Sequence, residues 1–327
     1  MLSLRGSYYW ILAAVFCLGW MDPGAEAARE EINWFIRVED AQAAAAKSGK
    51  PVYMYIFSPP QKACRRMRSE TLMHPAVIAQ LRKHFECCAV DSTEQTNKAW
   101  VDRYAWGVAR ANVEDPEYNK QYTAKIGSMP AHVFADAKGE AYFTFWGYMP
   151  PQAFLVKLGH INQIVRSKTA IDKDDTDARA HADLGHALLE LEDFKNSKVH
   201  LEKARGLDPS NKVGALETAS LYLTVLSIVD DPVKSSQALS QFLRDYPRSK
   251  RLMEARYWRA VALYAQQTKP ALRQALEALK PFRQIDPKSP EYTSKWAVLA
   301  DKLEKHVRID LGLERMPAST RQPTVHR

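Results

Sequence analysis

The stretch that decides the fold is KPVYMYIFSPPQKAC, residues 50–64. Its first part, Val52 to Phe57, is a continuous apolar, aromatic and β-branched run, which is typical of a central strand buried on both faces. Ser58-Pro59-Pro60 then turns the chain, and the residues from Gln61 to His74 have the spacing of a helix. A buried strand that turns directly into a helix predicts an α/β domain.

The segments on either side of this stretch complete one domain, expected at residues 28–165. A helix is predicted before the strand, at residues 32–48. After the strand, the sequence predicts a helix at 77–84, a second buried strand at 85–91, a hairpin of strands at 131–135 and 141–147, and a closing helix at 152–164. This order predicts an α/β sandwich around a mixed sheet. The aromatic-rich segment between Asp91 and Ser128 is interpreted as a packing elaboration, with a lid beside the turn as the alternative.

The domain resembles the thioredoxin superfamily, and within it the exported thioredoxin-like branch. The residues that carry the resemblance are Lys50-Pro51-Val52, Ser58 to Met67, Glu70-Thr71-Leu72, Val90-Asp91, Ser128-Met129-Pro130 and Phe145-Trp146-Gly147-Tyr148. The resemblance implies an α/β thioredoxin-like sandwich and no cofactor.

The same resemblance argues against redox turnover. Active members carry W-C-x-x-C at this turn, with an exposed nucleophilic thiolate followed by a resolving cysteine. Here Pro60 and Gln61 occupy the first two positions, only the resolving position is kept, as Cys64, and Tyr55 stands where a buried acid assists proton transfer. The resemblance therefore implies a degenerate active site in which Cys64 is the one candidate catalytic residue.

A peptide-facing surface could persist without that chemistry. Met129-Pro130 matches the family's cis-proline loop, which docks peptide backbone opposite the turn. The resemblance thus implies a peptide-binding site at Pro60, Gln61, Met129 and Pro130. The alternative is that a cis proline holds this loop for folding reasons alone.

The other cysteines leave two alternatives open. Cys87 and Cys88 are neighbours in a strand, so their side chains point to opposite faces and are expected to be buried and inert. A link from Cys64 to either one would need suitable geometry and is the alternative route to redox function. Without a C-x-x-C pair or metal-ligand histidine spacing, no metal site is predicted.

The N-terminus has the pattern of an export signal at residues 1–27. Arg5 precedes an apolar run from Tyr8 to Trp20, and Ala25-Glu26-Ala27 is a small-x-small cleavage site. The run is too short for a typical membrane span, so an uncleaved anchor is the second choice. We expect an exported, periplasmic protein with no membrane span after cleavage.

The pattern becomes purely helical beyond an acidic linker, expected at residues 166–177. Leu184-Gly185, Leu188, Leu201, Ala204 and Pro209 fall at tetratricopeptide offsets. Residues 178–310 therefore resemble a tetratricopeptide solenoid of about three repeats plus a final helix. Residues 311–327 are expected to form a disordered tail.

This resemblance implies a groove that binds a protein or peptide, or repeats that serve mainly to dimerise. The candidate groove residues are His181, Asp183, Tyr222, Arg256 and Arg259. The net charge of +8 is spread along the chain, so nucleic-acid binding is not expected. The first hypothesis is a protein-binding adaptor or chaperone-like module; the alternative is an atypical thiol-disulfide oxidoreductase of cell redox homeostasis that uses Cys64.

Overall fold

The computed structural model describes residues 31–106, 129–285 and 294–314, without the side chains of residues 105 and 106. The expected signal peptide and most of the expected tail lie outside the described residues. The chain divides into two compact units between Leu155 and Val156. Each unit is described below by itself.

The first unit is built on a five-stranded mixed sheet, as the sequence predicts. Its strands are β1 (Trp34–Phe35), β2 (Val52–Phe57), β3 (Glu86–Asp91), β4 (Ala131–Ala135) and β5 (Ala141–Trp146). Their spatial order is β1-β3-β2-β4-β5. The first three are parallel, whereas β4 and β5 are antiparallel.

Helices cover this sheet, and the first of them begins later than expected. They are α1 (Val38–Ser48), α2 (Lys62–Arg66) continued by a π-helical segment (Met67–Thr71), α3 (Pro75–His84), and α4 (Lys98–Val101) with a π-helical segment (Asp102–Trp106). The helix expected from Ile32 was wrong over its first six residues, because it begins at Val38. Trp34 and Phe35 instead pair with Cys87 and Cys88 of β3, because two adjacent aromatic residues gain more from a sheet edge than from a helix end.

The two faces of the sheet carry different cores because side chains alternate along a strand. Val52, Met54 and Ile56 pack with Cys88 and the buried face of α1. Tyr53 and Tyr55 lie on the other face, where their rings contact His132 of β4. Cys88 belongs to the first face and its neighbour Cys87 does not, in accord with the predicted alternation.

A long helix, α5 (Pro151–Lys173), contains the point at which the two units divide. The linker expected at residues 166–177 is helical up to Lys173, and only the short turn that follows interrupts the helices. Asp177 then caps the next helix by accepting a hydrogen bond from the backbone N–H of Ala180 at 2.9 Å.

The other elements described in the second unit are all helices, as predicted. Its helices are α6 (Ala178–Glu190), α7 (Phe194–Leu207), α8 (Ala215–Leu226), α9 (Pro232–Asp245), α10 (Leu252–Ala265), α11 (Lys269–Arg283) and α12 (Lys295–Asp310). Successive helices pack against one another. Within the described part of the chain, no helix is both long enough and apolar enough to span a bilayer.

Close helix crossing in this unit depends on a small residue that the sequence singled out. Gly185 of α6 faces Leu201 of α7, and a Cβ at position 185 would lie 2.6 Å from Leu201 Cγ. The Ser197 hydroxyl donates a hydrogen bond to the Gly185 carbonyl at 2.7 Å. The two helices therefore approach to backbone contact, which is the packing expected where Gly185 and Leu201 match the repeat offsets.

Candidate functional site

The candidate site begins at the turn between β2 and α2. Gln61 precedes α2 in an extended conformation, and its side chain makes no capping hydrogen bond. Its backbone N–H donates to the Ser58 carbonyl at 3.1 Å. The Arg65 side chain also stabilises the turn, because its Nη1 donates a hydrogen bond to the Pro60 carbonyl at 2.6 Å. The turn is thus held by backbone and arginine contacts, with Pro60 exposed and Gln61 half-buried.

Cys64 lies in the first turn of α2 with only 2% of its surface exposed. Burial raises the pKa of its thiol, although the Ser58 N–H and the nearby Arg65 act in the opposite direction. The Ser58 N–H donates to Cys64 Sγ at 3.4 Å. Because the nucleophilic form of cysteine is the thiolate, a buried neutral thiol is poorly suited to attack a disulfide.

Tyr55 lies beneath the same turn. Its hydroxyl donates to the Cys64 carbonyl at 2.8 Å, and burial raises its pKa well above the ordinary value for tyrosine. The position where active relatives of this fold would hold a buried acid therefore holds a neutral donor. This phenol supports the backbone of α2 and has no proton to exchange near neutral pH.

The loop before β4 holds the other residues that the sequence assigned to peptide binding. The Met129–Pro130 peptide bond is cis, and the buried Pro130 accepts a hydrogen bond on its carbonyl from the Gly147 N–H at 2.7 Å. Met129 is half-buried and packs against the core beside α1. A peptide-binding role for Pro60, Gln61, Met129 and Pro130 stays a prediction.

An ionic clamp beside the turn was missed by the sequence reasoning. Arg66 donates from Nε and Nη2 to the two carboxylate oxygens of Glu70, at 2.9 and 3.0 Å, and its guanidinium lies 4.0 Å from the centroid of the Tyr148 ring. The Tyr148 hydroxyl donates to the same carboxylate at 2.6 Å. The hydrogen bonds from Arg66 and Tyr148 lower the pKa of Glu70 to about 2, and Arg66 has the larger effect. The spacing of Arg66 and Glu70 at four residues was the available signal, but nothing in the sequence pointed to Tyr148.

Cys87 and Cys88 are free and buried, like Cys64. Burial raises the pKa of Cys87 and raises that of Cys88 to about 12. No disulfide joins the three cysteines. In the described ranges, no group of three or more histidine, cysteine or acidic residues is arranged to hold a metal ion.

Comparison with known families agrees with this geometry. Residues 38–162 match the family model of the thioredoxin-like domain, a segment that holds the turn, the cis-proline loop and four of the five strands, β2 to β5. The N-terminal part of the chain therefore contains a thioredoxin-like domain. A search of curated proteins found no match to the chain.

We interpret a buried histidine of the thioredoxin-like domain, His132, as a structural residue. The Tyr53 hydroxyl is 2.8 Å from His132 Nδ1, and His132 Nε2 is 3.3 Å from the Gly147 carbonyl oxygen. If the Tyr53 hydroxyl donates, Nε2 carries the ring proton and donates in turn. Both ring nitrogens are occupied, so the structure supports the structural interpretation.

The second unit contains the residues expected to line a binding groove, and two of them are not accessible. His181 is 2% exposed and Tyr222 is 1% exposed. Tyr222 donates to Glu254 Oε2 at 3.1 Å and accepts from Arg251 Nη1 at 2.8 Å. Assigning His181 and Tyr222 to an open groove was wrong, because both side chains are buried and make their polar contacts within the unit. The other three groove candidates are half-buried, and they are Asp183, Arg256 and Arg259.

One polar cluster in this unit joins helices far apart in sequence. The Lys295 Nζ of α12 lies 2.9 Å from Glu190 Oε2 of α6, and His186 of α6 stacks on Tyr222 of α8 with 4.2 Å between ring centroids. The neighbouring His186, whose Nε2 lies 3.8 Å from Glu190 Oε1, and the contact with Lys295 lower the pKa of Glu190 to about 2, against the effect of burial. The first and last of these repeat-region helices are thus held together by an ion pair.

Proposed function

We propose that this protein is an exported adaptor or chaperone-like module that binds proteins through a thioredoxin-like domain and a tetratricopeptide-like helical region. It performs no dithiol-disulfide turnover. The observation that carries the proposal is the pairing of Gln61 at the nucleophile position with a buried Cys64. A cyclic exchange at this turn needs two sulfurs, and the described turn offers one, whose pKa is raised by burial.

The helical region supports the binding part of the proposal. The α6–α7 pair crosses with the close approach at Gly185 that tetratricopeptide spacing requires, and Leu201 and Ala204 are fully buried at the crossing. Stacked helical pairs of this kind build extended surfaces because no pair can bury its apolar stripe alone. The family comparison matched residues 38–162, so the tetratricopeptide assignment depends on spacing and packing.

One assay separates the proposed function from its alternative. Dithiothreitol slowly reduces insulin, whose freed B chain then aggregates and scatters light. A thiol-disulfide oxidoreductase accelerates this aggregation, whereas a module that binds unfolded chains delays it. We expect a delay that grows with protein concentration. Acceleration would favour the alternative, an atypical oxidoreductase that uses Cys64, and unchanged scattering would overturn the chaperone-like role.

The thiol itself provides the matched control. If the proposal is correct, Cys64→Ser delays aggregation as strongly as the parent protein, because the binding surface does not use the sulfur. Titration of Cys64 with iodoacetamide should show slow reaction below pH 8. Rapid modification near neutral pH would contradict the burial argument.

Export is tested separately. When the full chain is expressed in a Gram-negative host, the periplasmic fraction should contain a protein that begins near Ala28, as measured by intact mass. Retention of the uncleaved chain in the membrane fraction would favour the anchored alternative.

A further inference from the structure

A cavity of about 1570 Å³ opens in the thioredoxin-like domain beside the edge strand β1. Tyr55 and Phe57 of β2 line it together with Ala89 and Asp91 of β3. None of residues 58–64, Met129 or Pro130 contributes to its lining, so the cavity is separate from the turn around Gln61.

The cavity exists because two neighbouring strands differ in length. The pairing of β1 with β3 ends at Phe35 and Cys88, whereas β3 continues to Asp91. Beyond Cys88, the outer edge of β3 has no strand partner among the described residues. Ala89 contributes only a methyl group next to Tyr55, its partner in β2, so the face of the sheet is open there.

Apolar side chains contribute to the walls of the cavity, and two of them are exposed. The apolar lining includes Trp34, Ile36, Leu72, Met73 and Ile78. Ile36 is 83% exposed and Met73 is 50% exposed. Apolar side chains grouped around an open cavity cost free energy in water, and such patches commonly mark sites of interaction.

The charges around the cavity are biased toward acids. Four carboxylates and two guanidinium groups line it, and they belong to Glu31, Glu39, Asp91, Glu94, Arg37 and Arg68. The lining thus has an excess of two negative charges, whereas the net charge of the whole chain is +8. Arg37 and Glu39 offset each other at 3.7 Å, and Asp91 Oδ1 accepts hydrogen bonds from the Thr93 N–H and hydroxyl. Glu31 and Glu94 are therefore the carboxylates most available to a ligand.

We propose that this cavity binds an extended peptide segment of a partner protein that carries bulky apolar side chains flanked by basic residues. The peptide backbone lies along the free edge of β3, and alternate side chains enter the cavity, as in recognition by strand addition. Glu31 and Glu94 attract the flanking basic residues. This site goes beyond the adaptor function proposed above, since that function needs neither β1 nor β3.

Two fluorescein-labelled peptides test the proposal by fluorescence anisotropy with the full protein. One places Val-Leu-Phe-Val between lysines, and the other places the same residues between glutamates. We expect the lysine-flanked peptide to bind at least tenfold more tightly. Equal binding or a preference for the glutamate-flanked peptide would overturn the proposal.

Variants localise the binding to the cavity. Ala89→Phe fills the space beside Tyr55 and should weaken binding of the lysine-flanked peptide at least tenfold, whereas Ala153→Phe places the same ring at an exposed position of α5 outside the lining and should leave it unchanged. Met73→Gln removes an exposed apolar wall without disturbing a packed core and should also weaken binding. Unchanged affinity in both Ala89→Phe and Met73→Gln would overturn the proposal.

Charge reversal gives an independent measurement. Glu94→Lys should reduce the preference for the lysine-flanked peptide by severalfold, and added salt should reduce it in the parent protein. Binding of phosphatidylcholine vesicles in place of either peptide would assign the cavity to lipid and would also overturn the proposal. Insulin aggregation measured with Ala89→Phe distinguishes this site from the general adaptor function, because failure at one leaves the other intact.

Discussion

The hydroxyl of Tyr55 donates a hydrogen bond to the backbone carbonyl of Cys64 across 2.8 Å, and this contact ties the central strand to the helix that follows it. Both residues stand at positions where a redox-active thioredoxin-like domain would place reacting groups. Here the tyrosine is a neutral donor, and the cysteine contributes its backbone. The scaffold around this turn is therefore supported by structural contacts.

Removal of this hydrogen bond should loosen the start of α2. Tyr55→Phe should lower the free energy of local opening by about 1 kcal/mol, the usual net value of a buried hydrogen bond. Hydrogen exchange of residues 52–66, measured by mass spectrometry, should become roughly fivefold faster, which is the same free energy expressed as a rate. Because the acceptor is a backbone atom, the change should be the same in a Cys64→Ala background. Unaltered exchange would show that the hydroxyl contributes nothing to the turn.

Restoring the missing sulfur should restore a disulfide. Gln61→Cys places a thiol at the N-terminus of α2, three residues before Cys64, where the helix dipole stabilises a thiolate. We expect the purified variant to form an internal disulfide, seen as two fewer alkylatable thiols by mass spectrometry, and to accelerate insulin reduction above the parent protein. Gln61→Ser is the matched control. Two freely alkylated thiols in the oxidised variant would contradict the assigned geometry of the turn.

The crossing of α6 and α7 should not tolerate a methyl group. Gly185→Ala would place Cβ 2.6 Å from Leu201 Cγ and 3.1 Å from Leu201 N, and such overpacking costs about 1–3 kcal/mol. Gly206→Ala is the control, because nothing lies within 4 Å of its Cβ position and alanine favours a helix by up to about 1 kcal/mol. Urea unfolding followed by circular dichroism should shift in opposite directions for the two variants. Stabilisation by both would mean that the helices are farther apart than described.

The second unit should lose stability in mild acid through one histidine. Burial first, and then His181, lower the pKa of His200 to about 4, and Lys168 and Lys203 act in the same direction whereas Asp193 opposes them. The two rings meet at 2.9 Å between their Nδ1 atoms, which can share one proton but not two. The folded state favours the neutral ring of His200, because its pKa there lies below the ordinary value near 6.5. The contribution of this neutral ring to the free energy of unfolding is complete above about pH 6.5 and is lost as the pH falls toward 4.

The size of the effect at pH 5 should be about 1 kcal/mol after allowance for solvent screening of a half-buried ring. Urea unfolding of the parent protein and of His200→Gln, compared at pH 7 and pH 5, measures it. The parent should lose more stability than the variant over this interval. A parallel loss in both proteins would place the pH dependence elsewhere.

Much of the thioredoxin-like domain could be predicted from local pattern. The run from Val52 to Phe57 could be buried only as a central strand, and the alternation of Cys87 and Cys88 between faces follows from strand geometry. The first six residues of the helix expected from Ile32 were wrong because Trp34 pairs with β3 instead. That pairing joins distant segments, so the spacing of residues near Trp34 could not predict it.

For the candidate sites too, some features follow from the sequence and others only from the tertiary structure. Absence of the nucleophilic sulfur at Gln61 is a matter of residue identity, so the sequence alone determined that the turn could not run a dithiol cycle. It also determined the two-part layout and the need for Gly185, since periodicity and small-residue offsets are local properties. Only the tertiary structure decided that Tyr148 completes the clamp on Glu70, that Tyr222 is buried, and that a cavity opens where β1 ends before β3. Those features depend on which side chains meet across distant segments, and packing selects them after the local elements have formed.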